Sequence, residues 1–409
     1  MNYIIFEDTQ TDLLSPFTIL HATFELRTGV FTNLDRIINT ISKNDTIQLY
    51  VRDEIEELLK TRFPDADINP EKFHPGICLN GKAIWNENSI SKIKQEAVIF
   101  DQDVIIGFKL ENEVSKNRLE KNILKRHYNA NNNSNVQIIN HLWDIFEYIS
   151  VNIEEDYNLI KQKYKLTEQK INHNKIHNSC HIVNKDNIIF GKDSIISAGV
   201  VLDATNGPII IDENVLIDIG ALVKGPAYIG KKSIINPGAK LRESTSIGEL
   251  CKVGGELEDC VIHGFSNKQH DGYLGHSYLS EWVNLGANTN VSDLKNNYSN
   301  VKVKLSADKE FDTRQQFVGS FIGDFTATAI STKFNTGTVV GVGANIFKES
   351  FEIKYFPSFV WGHNQIVDIK KFIKRCKIAM NRREIEMSKA LEKRLKFLWS
   401  NSELPKNTK

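Results

Sequence analysis

From Ile211 onward an aliphatic residue returns at every sixth position: Ile211, Ile217, Val223, Ile229, Ile235, Leu241, Ile247 and Val253. Four residues after each stand Val215, Ala221, Ala227, Ser233, Ala239, Thr245, Cys251 and Leu257, most of them small. The period extends upstream through Phe190, Ile196 and Leu202, with one slip before Ile211. Downstream it runs through Tyr273, Leu279, Leu285 and Val291, then Ile322, Thr328, Phe334, Val340 and Ile346. A fixed short repeat is the mark of a solenoid. With a period of six, three short strands close one triangular coil. Each aliphatic side chain then points into the prism and stacks on its counterpart one coil later, while the small residue fits a corner. A β-sandwich would instead alternate apolar and polar residues within strands and space its turns irregularly. The repeat therefore predicts a parallel β-helix.

The chain before the repeat has another character. Tyr3–Phe6, Thr46–Val51, Ala97–Phe100 and Val104–Gly107 read as strands, and Leu34–Thr40, Glu54–Thr61 and His141–Ile160 as helices. Strands alternating with helices indicate a mostly parallel α/β sheet. The expected organisation is an α/β domain over 1–165, a polar linker over 166–187, the β-helix over 188–365, and a C-terminal helix with its tail over 366–409. That helix is strongly basic, from Lys370 to Arg394, with Ile369, Ile373, Ile378, Ile385 and Leu391 as its apolar stripe.

Charge and cysteine usage narrow the function. The chain has 409 residues, with 51 Lys plus Arg against 51 Asp plus Glu. Zero net charge argues against nucleic acid or an anionic membrane as the main partner, because both require a one-sided positive field. The five cysteines are scattered with no C-x-x-C pair, so neither a zinc site nor a disulfide framework is indicated. No window has the length and apolarity of a membrane span, and the acidic start is unlike a signal peptide. These features predict a cytoplasmic protein. His173, His177 and His181 share one face only if their polar segment is helical, and no carboxylate stands in register with them to complete a metal site.

The chemistry is concentrated in Ser266-Asn267-Lys268-Gln269-His270-Asp271-Gly272-Tyr273-Leu274-Gly275 and Asn284-Leu285-Gly286-Ala287-Asn288-Thr289. This string resembles the acetyltransferase half of the bifunctional enzymes that make UDP-N-acetylglucosamine. With Met1–Phe6, Leu14–Thr18, Glu25–Gly29 and Leu142–Phe146, the resemblance extends to bacterial sugar nucleotidyltransferase-like proteins that join a divergent, Rossmann-like nucleotidyltransferase domain to a left-handed β-helix. It implies acetyl transfer from acetyl-CoA to the amine of an amino-sugar phosphate, in a homotrimer with active sites between prisms. An amine attacking a thioester must lose a proton, and a histidine suits that task. By resemblance His270 is the base, Tyr273 and Asn284 line the sugar site, and Ala287 with Gly286 meets the acetyl-CoA. Lys268, Lys240 and Arg242 are candidate phosphate contacts. The breaks in the period at 258–272 and 293–316 are candidate loops over the site.

The first domain departs from that pattern. No glycine-rich phosphate loop is present, and Leu20-His21-Ala22 stands where the sub-family has threonine-arginine-proline. Histidine does not replace the arginine fork. Arg27 and Glu25 remain as nucleotide-site candidates, and Asp101 or Asp103 as Mg²⁺ ligands. The expected partners are a sugar phosphate, a nucleotide or nucleotide sugar, and coenzyme A. The alternatives are nucleotidyl transfer alone with the β-helix as a trimerisation scaffold, or a non-catalytic nucleotide-sugar-binding protein.

Overall fold

The computed structural model describes residues 1–95, 98–101, 104–124, 136–164, 175–347, 351–402 and 404. Its N-terminal sheet has six strands in the order Asp67–Ile68, Thr46–Tyr50, Asn2–Phe6, Gly76–Asn80, Val104–Leu110 and Val98–Asp101. The first four run parallel, and Val104–Leu110 is antiparallel to both of its neighbours. Helices Asn33–Thr40 and Asp53–Arg62 connect the parallel strands. Thr32 caps the first of them by accepting a hydrogen bond from the Asp35 amide, as expected for a threonine beside orphan helix amides.

The repeat folds as a three-sided parallel β-helix. One face contains six strands, from His181–Val183 to Tyr273–Gly275. The second contains nine, from Ile188–Phe190 to Tyr355–Phe356. The third begins at Ile195–Ile196 and reaches Asn267–Lys268. On the second face the interior column is Ile211, Ile229, Ile247, Ile262, Leu279, Ile322, Val340 and Phe356. All eight are sealed from solvent, so the period-six pattern is the core of the prism.

Four expectations change and one holds. Residues 258–272 are not a projecting loop: Cys260–Gly264 and Asn267–Lys268 continue the second and third faces through a shortened coil. Shortening shifts the register, so Leu274 rather than Tyr273 fills the interior against Leu257. The insertion at 293–316 does project, as a hairpin of Lys302–Lys304 and Glu310–Asp312. It reaches the first domain, with Phe311 against His141 and Trp143 and Lys309 paired with Asp12. Finally, the C-terminal segment is two helices, Ile369–Asn381 and Lys389–Ser400, capped by Asp368 and Ser388. The first buries Phe372, Ile373, Cys376 and Met380, while Ile378 is exposed. The strand His181–Val183 lies within the stretch read as linker and already pairs with Val201–Asp203.

The second face of the prism docks on the first domain. Its outward residues Ile210, Tyr228, Val261, Tyr278, Phe321 and Val339 form one buried cluster with Leu14, Phe17, Leu26, Ile139 and Trp143. A strand buried on both sides is apolar on both sides, and Ile209-Ile210-Ile211 shows it. The C-terminal helices close the other flank. Phe372 packs on Phe325 and Phe359 of the prism, and Lys393 pairs with Glu57 of the first domain.

Candidate functional site

The prism corner between the third and first faces gathers the sequence-predicted string. Asn267 bridges to Asn284 one coil on, and the Tyr273 amide donates to Asn290 Oδ1 at 2.9 Å. Both pairs are seventeen residues apart, so His270 and Ala287 occupy equivalent corner positions of adjacent coils. His270 is exposed. Its carbonyl is held from inside, where the Lys268 ammonium donates to it and to the Gly254 carbonyl. Several members of the string build the prism. Ser266 Oγ donates to the Ser280 carbonyl and accepts from the Val283 amide; Thr289 Oγ1 donates to the Gly286 carbonyl. Gly286 lies so close to the next coil that a Cβ would stand 2.4 Å from the Ala329 carbonyl oxygen.

Lys268 is not a surface phosphate contact. It occupies the interior position paired with Val253, 1% exposed. Burial disfavours the ammonium and holds its pKa down to about 8, only partly offset by Asp271. The signal was available: Lys268 follows Val253 at the aliphatic position of a shortened coil.

The remaining predicted contacts divide between two faces. Lys240 and Arg242 are exposed on the first face, where Arg242 pairs with Glu258 at 2.6 Å. Tyr273 is on the same face. Its hydroxyl donates to Asp293 at 2.9 Å, and burial together with that carboxylate raises its pKa. Asn284 lies on the third face. Its Oδ1 accepts from Asn267, whose own Oδ1 accepts at 2.7 Å from Arg383, in the turn after the first C-terminal helix. Arg383 thus reaches the predicted site from a part of the chain outside the matched string.

The first domain presents a different arrangement. Ligands of open α/β sheets bind beyond the carboxyl ends of the strands. Here those ends carry Glu7, Asp8, Arg52, Asn80 and Lys82, paired with one another. Arg52 binds Glu7; Lys82 binds Asp8 at 2.8 Å, and Asn80 donates to Asp8 at 2.9 Å. Glu25 and Arg27 are not free to meet a nucleotide. Arg27 is buried, donating to the Val30 and His263 carbonyls and pairing with Glu249 of the prism. Glu25 binds Arg62. Burial alone would push its carboxyl up, but Arg62 and His21 outweigh that and hold it at about 2. Arg27 therefore fastens the domains together, and Glu25 adds to this through its carbonyl, which accepts from His263 Nε2 of the prism at 2.8 Å.

His21 is at the centre of this interface. It stacks on Phe17 and hydrogen-bonds Asp324 at 2.7 Å. Burial opposes its charge, yet Asp324 lifts its pKa to about 10. His21, Glu281 and Asp324 bring three ligand-type atoms within 4.8 Å of one another. His21 and Asp324 bond each other directly, while Arg62 adds positive charge beside Glu281 and Asp324. The three charges are paired as an ion cluster, while His21 Nδ1 and Asp324 Oδ2 stay buried without a hydrogen-bond partner. Of the two aspartates proposed for Mg²⁺, Asp101 is described only as the last residue of its strand, and Asp103 lies outside the described residues, as does His173. Among the described residues no helix is long and apolar enough to cross a membrane.

Residues 3–165 match the sugar nucleotidyl transferase family. The chain is 30% identical over 166 residues to a bifunctional sugar-1-phosphate nucleotidylyltransferase/acetyltransferase of Sulfurisphaera tokodaii, covering 40% of each chain. It is 25% identical over 175 residues to the bifunctional protein GlmU of Bordetella parapertussis, covering 39% of this chain and 36% of that one. Against GlmU of Wigglesworthia glossinidia brevipalpis the match is longer and weaker: 24% over 336 residues, 79% of this chain and 66% of the relative. The chain thus spans about 40% of the length of the relatives it matches first.

Proposed function

With residues 3–165 in the sugar nucleotidyl transferase family and the chain as a whole GlmU-like, we propose that it is a transferase of nucleotide-sugar synthesis whose prism corner transfers an acetyl group from acetyl-CoA to the amine of an amino-sugar phosphate. The observation that carries this reading is the 17-residue register of adjacent coils, Asn267 to Asn284 and Tyr273 to Asn290, which gives His270 and Ala287 equivalent corner positions. In this mechanism the amine attacks the thioester carbon. The His270 imidazole takes the amine proton, the C–N bond forms and the C–S bond breaks. The coenzyme thiolate leaves and is protonated. Backbone amides at the Ala287 corner would stabilise the oxyanion. Because Tyr273 and Asn284 flank the corner on different faces, we read the working unit as a homotrimer in which a neighbouring prism closes the cleft.

The test is thiol release from acetyl-CoA with a panel of amino-sugar phosphates. Release that depends on the amine and is lost in His270→Ala supports the reading; no release with any amine sinks it. The family match of the first domain favours a second reading, nucleotidyl transfer. It is tested by pyrophosphate release from UTP or dTTP with sugar-1-phosphates. The paired charges at the strand ends speak against it.

A further inference from the structure

A cleft of about 330 Å³ lies between the third face of the prism and the first C-terminal helix. That volume falls within the range of small-molecule sites. Its walls have opposite character. One is aromatic: Phe265 and Trp282 stack at 4.7 Å and 10°, and Trp282 stacks on Phe325 at 6.1 Å and 4°. These three occupy the left-handed corner position that recurs along this edge, with Asn214, Lys232 and Leu250 below them. The other wall is cationic, made by Arg382 and Arg383, with Lys252 on the prism side.

These cations differ from the others of the same helical segment. Lys377 and Lys396 pair with Glu392, and Lys393 pairs with Glu57. Among the described residues no carboxylate lies within ion-pair distance of Lys252, Arg382 or Arg383. Arg383 is half-buried, bonds Asn267, and keeps its Nε buried without a partner. Positive charge held in a cleft beside flat apolar rings, without internal compensation, complements a ligand that joins a planar ring to anionic oxygens. Arginine presents a fixed donor fork that suits phosphate, and aromatic walls suit a heterocyclic base. At its far end the cleft reaches Gln269, the residue before His270.

We propose that this cleft binds a nucleoside phosphate, with its base against Phe265 and Trp282 and its phosphates on Lys252, Arg382 and Arg383. Two sources share that chemistry: the nucleotide end of coenzyme A and a free nucleotide or nucleotide sugar. Identifying it as the coenzyme's seat rests on the acyl-transfer reading; the binding of a nucleoside phosphate does not.

The experiment is equilibrium titration of the full-length protein with coenzyme A, ADP, UDP and UDP-N-acetylglucosamine, followed by calorimetry and tryptophan fluorescence. Adenosine and inorganic phosphate serve as competitors. At least one nucleotide is expected to bind and perturb the fluorescence. Arg382→Glu, at an exposed position, and Arg383→Gln should each weaken that binding about 10- to 100-fold, the range for losing a charge-assisted hydrogen bond. Tighter binding of coenzyme A than of ADP or the uridine nucleotides assigns the cleft to the acyl donor; the reverse order assigns it to a nucleotide or nucleotide sugar. Three results overturn the proposal: no binding by any nucleotide, undiminished affinity in both arginine variants, or equal competition by inorganic phosphate. The two readings fail independently, since nucleotide affinity of the wild-type protein is read directly and is expected even if no thiol release is ever observed.

Discussion

The carboxyl ends of the N-terminal strands and the third-to-first corner of the prism are both places where their folds put ligands, yet they use charge in opposite ways. At the strand ends Arg52 pairs with Glu7 and Lys82 with Asp8, and at the adjoining interface Arg62 pairs with Glu25, Arg27 with Glu249 and His21 with Asp324. At the corner and the adjoining cleft, His270 is exposed and Lys252, Arg382 and Arg383 have no carboxylate among the described residues. Removing an ion from water is costly unless a partner compensates it. Charge paired inside the protein therefore serves cohesion, and charge left open to a cleft serves a ligand. The same residue types, read without their surroundings, would have been assigned the same role.

The comparison can be broken most directly at His270. His270→Ala should lower thiol release by about 10²- to 10⁴-fold, the usual contribution of a positioned general base, and leave thermal unfolding unchanged because the side chain is exposed. A matching loss of stability would make it structural instead. Asp324→Ala should do the reverse. It strips His21 of its partner in a buried site, and denaturant unfolding should show a loss of about 3–5 kcal/mol. A loss below about 1 kcal/mol would show that the interface does not depend on this cluster.

Two pH dependences of opposite sign sharpen the contrast. His21 is raised to about 10 in the folded state against an ordinary value of 6.5. Its contribution is complete below 6.5 and is lost as pH rises through 10. Lys268 is lowered to about 8 against 10.5. Between those values the unfolded chain holds a proton the folded one lacks, so its effect on stability improves with rising pH by up to about 1.4 kcal/mol per unit. Below 8 the penalty is constant. The difference in unfolding free energy between wild type and Lys268→Met isolates this slope, and a flat difference across that window would remove the buried ammonium from the account. Arg242→Ala should have the smallest effect. Its exposed pair with Glu258 is worth at most about 1 kcal/mol, and a raised KM for the acceptor with unchanged kcat would mark Arg242 as a sugar-phosphate contact.

Much of the prism was legible because its period depends on one chain direction and one repeated contact. Ile211, Ile229 and Ile247 stack because each must leave water at the same place in its coil. The same rule misled at Tyr273, where a shortened coil moved the interior position to Leu274. Docking was harder to see. Ile210, Tyr228, Val261, Tyr278, Phe321 and Val339 mark the covered face by apolar residues at outward positions, but Ser246 interrupts the series, and the signal is weaker than the interior one. Nothing in the order of residues announced that Arg27 would be enclosed by the prism, or that Arg383 would reach Asn267 across more than a hundred positions.

The amino-acid sequence by itself determined the solenoid, the α/β domain before it, and the string that carries His270 and Ala287, because each depends on residues close in sequence or repeated at a constant interval. Only the tertiary structure decided which charges are spent on cohesion. Burial and pairing depend on surfaces from distant segments meeting, and that meeting enclosed Glu25, Arg27 and Lys268 while leaving Arg382 and Arg383, just past the first C-terminal helix, without a carboxylate partner among the described residues.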